Sequence, residues 1–208
     1  MDVTALKSVQ DCRQKVDEAF KGRLDIVVAN SGVLENFKHI EDSDPETWWR
    51  TYETNVKGAY YTAHEFLPLL QKQDSLGIFL GTSSIGQHLL SPGASSYQSG
   101  KLALHRITEF ITVETALKEK AGKGKSVQAF VIHPGGVMTA MAQNMPKESH
   151  GVLKDKPELC GDTTVWLTSE RRDWLKGRYV SVTWDMQELE GMKAEIVEKD
   201  ALKMKMTF

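Results

Sequence analysis

Apolar residues fall into two kinds of run along this chain. Four short stretches are apolar at consecutive positions, and the longer stretches between them carry apolar residues at helical spacing. The first short run, "LDIVVANSG" at 24–32, is β-branched and closes on Asn, Ser and Gly, which reads as a buried parallel strand with a turn at its carboxyl end. "GIFLGTSS" at 77–84, "SVQAFVIHPGG" at 126–136 and "RYVSV" at 178–182 read as three more strands. Residues 43–72 open on Ser43 or Asp44 as a cap with Pro45 behind it, and Trp48, Tyr52, Val56, Ala59, Ala63 and Phe66 then recur at the period of a helix. Pro68 is expected to kink its last turn. A second long helix is predicted over 96–121, a short one around 162–169, and a surface helix with a tail over "DMQELEGMKAEIVEKDALKMK". Alternating strands and helices mean a parallel sheet with right-handed crossovers and helices on both faces. With no linker, repeat or low-complexity segment in view, one α/β domain over 1–208 is expected.

Composition narrows the function without naming it. Lys and Arg number 26 against 28 Asp and Glu, a formal charge of -2, so no basic footprint argues for nucleic acid or an anionic membrane. Cys12 and Cys160 lack metal-ligand or redox spacing, the six histidines form no ligand set, and no metal is expected. No apolar run approaches bilayer length, no signal-peptide pattern opens the chain, and the cytoplasm is the expected compartment.

Two apparent motifs dissolve on inspection. "AGKGKSV" at 121–127 has the glycines and the Lys-Ser of a phosphate loop, but Glu119 stands where the first glycine belongs, and the segment runs from helix to strand. "GTSSIG" is not a G-x-S-x-G elbow, and no histidine or acid is placed to complete a hydrolase triad.

"SSYQSGK" at 95–101 is different. Tyr97 and Lys101 stand four apart in a predicted helix, so both side chains share one face. A neighbouring ammonium favours the phenolate and can bring a phenol with an ordinary pKa of about 10 toward neutral proton exchange. Alone, such a pair reads as well as a surface contact. Ser84, at the carboxyl end of a predicted strand, lies where ligand crevices open in parallel sheets. Asn55 stands in the middle of a helix, where asparagine is a poor former, and otherwise reads as an exposed polar position. "PGGVMT" at 134–139 follows a strand directly, so its amides and the Thr139 hydroxyl could hold a polar ligand at the same edge.

In this order and at this spacing, Asn30-Ser31-Gly32, Asn55, Ser84, Tyr97-x-x-x-Lys101 and Pro134-Gly-x-Val-x-Thr139 resemble the short-chain dehydrogenase/reductase family. The resemblance runs over essentially the whole chain, and the tail "DWLKGRYVSVTWD" is similar to family members from filamentous fungi, which suggests secondary metabolism. It implies a Rossmann-like doubly wound sheet and NAD(P)-dependent interconversion of a secondary alcohol and a ketone. By the same resemblance, Tyr97 is the general acid or base, Lys101 lowers its pKa and binds the nicotinamide ribose, Ser84 orients the substrate carbonyl, and Asn55 holds a relay water. Pro134, Gly135, Val137 and Thr139 would border the nicotinamide, Asn30 and Gly32 would shape the strand end near the adenosine half, and Asp2 and Val3 match the stretch that touches adenine. Where the family pattern has alanine, Ser31 adds a hydroxyl near the cofactor.

The Gly-x-x-x-Gly-x-Gly turn of the family is not found in these 208 residues, which implies a fold truncated at its amino end with the first βαβαβ half largely missing. Three explanations are carried: a fragment of a longer reading frame, a truncated product with impaired cofactor binding, or a chain completed by a partner. "DIVVANSG" should then be an exposed sheet edge. A catalytically impaired relative acting as a binding or regulatory subunit is the rival reading. Trp48 with Trp49, and Leu102, Ala103 and Leu104, broaden the apolar faces of the long helices, and the family implies a homo-oligomer through them. The loop after Thr139 reads as a lid, although Met138, Met141 and Met145 serve equally as core.

Overall fold

The computed structural model describes residues 1–34, 37–72 and 74–206. Four parallel strands, β1 (Ile26–Ala29), β2 (Ile78–Thr82), β3 (Gln128–His133) and β4 (Tyr179–Ser181), lie side by side in chain order. Their register pairs Ile26 with Ile78, Ile78 with Gln128, and Val131 with Tyr179. Each predicted strand is present and shorter by one or more residues at each end.

Both faces of the sheet are covered, as the consecutive apolar strand residues require. On one face Val27, Phe79 and Ala129 pack under Val9 of α1 (Leu6–Ala19), Phe66 and Leu70 of α3 (Gly58–Leu70) and Ile111 of α4 (Ser95–Lys120). On the other, Ile78, Leu80, Phe130 and Ile132 pack under Leu167 of α5 (Pro157–Thr168), Leu189 of α6 (Met186–Gly191) and Ile196 of α7 (Lys193–Glu198). The sheet is doubly wound, and β1 is an edge strand with Val28 exposed.

Three elements depart from the sequence pattern. Helix α1 was not expected, although Val9, Cys12 and Val16 stand at helical spacing on its core side. The stretch expected as one helix over 43–72 is α2 (Pro45–Tyr52), a π-helical turn at Glu53–Lys57, then α3. Asp44 is the cap, accepting a hydrogen bond from the Thr47 amide at 2.8 Å, and Pro68 sits inside α3, which continues to Leu70. The expected tail helix is two short ones, α6 and α7. Residues 121–127 form a turn from α4 to β3, with Gly122 at φ +68°, consistent with a connecting turn.

Candidate active site

The geometry is built around the amino-terminal third of α4. Small residues let neighbouring segments come close: Ser95 Oγ accepts from Trp48 Nε1 at 2.9 Å, and Ser96 Oγ donates to the Trp48 carbonyl at 2.7 Å. A Cβ on Gly100 would stand 3.3 Å from Asn55 Cβ, so glycine at that position allows α4 to approach the π-helical turn. Gln98 faces the other way, its amide gripping both the amide and the hydroxyl of Ser91 and so fixing the loop that follows Ser84.

Asn55 is 1% exposed rather than on the surface. Its Oδ1 accepts from the Val33 amide at 3.0 Å and its Nδ2 donates to the Val33 carbonyl at 2.9 Å, a two-point grip on the segment leaving β1. That grip accounts for a polar residue in mid-helix, and the wider π turn is the local deformation that accompanies it. A Cβ on Gly32 would meet Asn55 Oδ1 at 3.0 Å and Lys101 Nζ at 3.1 Å, so Gly32, Asn55 and Lys101 converge on one point.

Lys101 is 4% exposed, and its Nζ donates to the Thr82 carbonyl at 2.7 Å while lying 5.6 Å from the centre of the Tyr97 ring. Burial pulls its pKa down from 10.5 to about 8, because the low-dielectric site penalises the ammonium. Tyr97 is partly buried. Ser84 caps the 3-10 turn Ile85–His88, its Oγ accepting from the Gly86 amide at 3.0 Å. The carboxyl end of β2 therefore delivers Thr82 to the lysine and leaves Ser84, two residues on, partly exposed.

The residues tied by resemblance to a cofactor fall into two groups. Asp2, Val3, Ser31 and Gly32 line a cavity of about 790 Å³ together with Trp49 and Arg50, and Asn30 is exposed at the end of β1. Asp2 lies below the usual carboxylate range because Thr4 donates to it through both hydroxyl and amide. Val3 is buried, and its Cγ2 would stand 2.6 Å from a Cβ on Gly58, so packing on α3 occupies that side chain. Pro134, Gly135, Val137 and Thr139 follow β3, with Gly135 at φ +84° and the Thr139 hydroxyl accepting from the Ala142 amide at 3.2 Å. Met138 is exposed, whereas Met141 and Met145 are partly buried.

Sequence reasoning passed over several residues that shape this site. Asp155 clasps Gly136 at two points, accepting from its amide at 2.7 Å and donating its own amide to the Gly136 carbonyl at 2.9 Å. Thr82, Val33, Ser83, Gln87 and His105 are the others; only His105, four residues after Lys101 on the same helix, had a spacing that could have flagged it.

Comparison with known proteins bears on the family and the fold. Residues 1–150 match the family model described as short chain dehydrogenase. The chain is 47% identical over 206 residues to the short chain dehydrogenase mpl6 of Monascus purpureus, covering 99% of this chain and 68% of that protein. It is 38% identical over 211 residues to the short chain dehydrogenase pigC of Monascus ruber, covering all of this chain and 67% of that protein. Among solved structures, the KRED1-Pglu enzyme superposes with a TM-score of 0.73 at 27% identity, over 86% of this chain and 77% of that one. A doubly wound parallel sheet, a buried lysine whose Nζ faces a tyrosine ring one helical turn away, and relatives of this closeness lead to one conclusion: the chain belongs to the short-chain dehydrogenase family of oxidoreductases.

Proposed function

We propose that this protein interconverts a secondary alcohol and a ketone with a nicotinamide cofactor, NAD or NADP, and that Tyr97 carries the proton. The observation behind this reading is the Lys101 ammonium, buried, seated on the Thr82 carbonyl and facing the Tyr97 ring. A cation in that place stabilises the phenolate and brings it within range of neutral proton exchange. A lysine whose own pKa lies near 8 is itself able to hand on a proton close to physiological pH.

The site residues fit the cofactor. Gly32 leaves open the space a Cβ would fill between Asn55 and Lys101, and the cavity beside it, at about 790 Å³, is within the usual range for cofactor sites. Asp2, Ser31 and Gly32 would hold the adenosine half, and Pro134, Gly135, Val137 and Thr139 the nicotinamide half. When bound, a nicotinamide supplies or accepts the hydride. Ser84 orients the substrate oxygen and Tyr97 gives or takes its proton. Lys101 keeps Tyr97 ionisable and reaches toward the ribose. Asn55 fixes Gly32 and Val33 against Lys101, and a proton path from Lys101 to solvent runs past it. The loop of 140–156 acts as the lid, fastened to the Gly135–Gly136 turn by Asp155.

A homo-oligomer formed through α3 and α4 belongs to the same reading. Phe110, Val113 and Leu117 repeat along one stripe of α4 at 58–61% exposure, and Tyr60 is exposed on α3. Among the described residues no helix is long and apolar enough to cross a membrane. Fluorescence titration with NADH and NADPH, followed by turnover on a panel of ketones, tests the function. Tyr97→Phe should lower turnover by about 10²-fold or more while cofactor binding persists; retention of most of the activity would sink the mechanism.

A further inference from the structure

Beneath the proposed site lies a hydrogen-bonded cluster that the reaction does not use directly. Ser83, Gln87 and His105 are all buried. Gln87 Nε2 lies 2.9 Å from His105 Nδ1 and 2.9 Å from His88 Nε2, and Ser83 Oγ lies 2.6 Å from Gln87 Oε1 and 3.1 Å from the Lys101 carbonyl. His105 Nε2 stands 3.2 Å from the Gly177 carbonyl.

Elementary chemistry fixes the direction of each bond. A carbonyl only accepts, so the hydrogen of a neutral His105 is on Nε2 and its Nδ1 presents a lone pair. Gln87 must then point its NH2 at His105, and the second amide hydrogen goes to His88 Nε2, which places the His88 hydrogen on Nδ1. Gln87 Oε1 is left facing Ser83, whose hydroxyl donates to it and lies against the Lys101 carbonyl. Burial holds His105 down at about 4, consistent with a neutral ring. The groups facing the imidazoles are Arg106 on α4, a charge near His105, and the Tyr179 ring on β4, whose centroid is 4.8 Å from His88 and 6.5 Å from His105.

We infer that Gln87 is a positioning residue for the reaction: with Ser83 and His105 it clamps the end of β2, which carries Ser84, to the turn of α4 that begins at Lys101. Lys101 is thereby held at both ends by successive residues of one strand end, its Nζ on the Thr82 carbonyl and its own carbonyl on Ser83. The inference rests on the dehydrogenase reading for its consequence and on geometry alone for the clamp.

Two variants test it, Gln87→Met, which keeps the length and removes the polar atoms, and Gln87→Glu, which accepts but does not donate. In the apoprotein, nitrogen–proton correlation spectra should show His105 as the Nε2–H tautomer and His88 as the Nδ1–H tautomer. In Gln87→Met the His88 preference is lost and the Lys101 titration, followed at its Cε carbon, moves up from near 8. In Gln87→Glu the His105 titration moves upward. Turnover of Gln87→Met should fall about 10- to 100-fold, as expected when reacting groups are misplaced by an ångström or less, with KM for the cofactor little changed. The pH profile of kcat should shift together with the Lys101 titration. If Gln87→Met unfolds, the Gln87→Glu titrations decide. Histidine tautomers opposite to those stated, or a Lys101 titration and turnover within two-fold of the parent in a folded variant, overturn the inference. A displaced Lys101 titration in a protein whose parent shows no turnover on any ketone leaves the clamp standing and removes the dehydrogenase reading instead.

Discussion

Replacing Lys101 by methionine should make the fold more stable at neutral pH while abolishing its use. Burial lowers the lysine from 10.5 to about 8. That difference, about 2.5 at roughly 1.36 kcal/mol per pKa unit, means that a charged Lys101 costs the native state on the order of 3 kcal/mol. The sign follows from the folded value lying below the unfolded one. As pH falls the unfolded chain takes up the proton first, so the cost begins to enter near 10.5 and is complete below about 8. The side chain is 4% exposed, so solvent screening takes little away. Methionine removes the charge at similar length but leaves the Thr82 carbonyl without its Nζ donor, which costs about 1–3 kcal/mol at any pH. Lys101→Met should therefore be more stable than the parent by about 1–2 kcal/mol at pH 7, and less stable by about 1 kcal/mol at pH 10, where little of the charging cost remains. Urea unfolding at pH 7, 8.5 and 10, with the m-value checked for constancy, measures both. A variant less stable at pH 7, or a difference that does not change with pH, would refute the account of Lys101 as a strained, functionally retained charge.

Three further outcomes follow from contacts at the site. Gly58→Ala drives a Cβ to 2.6 Å from Val3 Cγ2 and should destabilise the protein by about 1–3 kcal/mol; Val3→Ala in the same chain should recover part of the loss, read as a positive coupling in a double-mutant cycle. Gly32→Ala pushes on Asn55 Oδ1 and Lys101 Nζ at 3.0 and 3.1 Å, and should lower kcat by about tenfold or more through displacement of the lysine, with the Lys101 titration shifted in the apoprotein. Phe110→Glu places a charge in the exposed stripe of α4 and should reduce the mass seen by light scattering to that of a single chain, while the circular dichroism spectrum stays unchanged.

Most of the architecture was legible from spacing. Consecutive apolar residues marked β1 to β4, because both faces of the sheet are covered, and a helical period marked α2 and α3, because side-chain direction repeats every 3.6 residues in a helix; α5 begins at Pro157, ahead of the helix expected at 162–169. Ser84 was expected at the carboxyl edge of the sheet and Tyr97 with Lys101 on one helix face; the contacts seen are Lys101 Nζ on the Thr82 carbonyl and 5.6 Å from the centre of the Tyr97 ring. Helix α1 carried its own signal in Val9, Cys12 and Val16.

What the sequence by itself determined is thus the order of elements, the faces they bury and the residue types at the strand ends. Tertiary structure decided how those residues meet. The π turn at Asn55 accompanies a grip on Val33, 22 positions away, and no local propensity encodes it. The closeness of Gly32, Asn55 and Lys101 depends on α4 lying against that turn at Gly100. The clamp joining Ser83, Gln87, His105 and Gly177 needs β2, α4 and the residues before β4 to be docked together. Spacing along a chain states which face a side chain occupies, whereas hydrogen bonds of 2.7–3.2 Å between distant residues exist only once the sheet has brought the elements together.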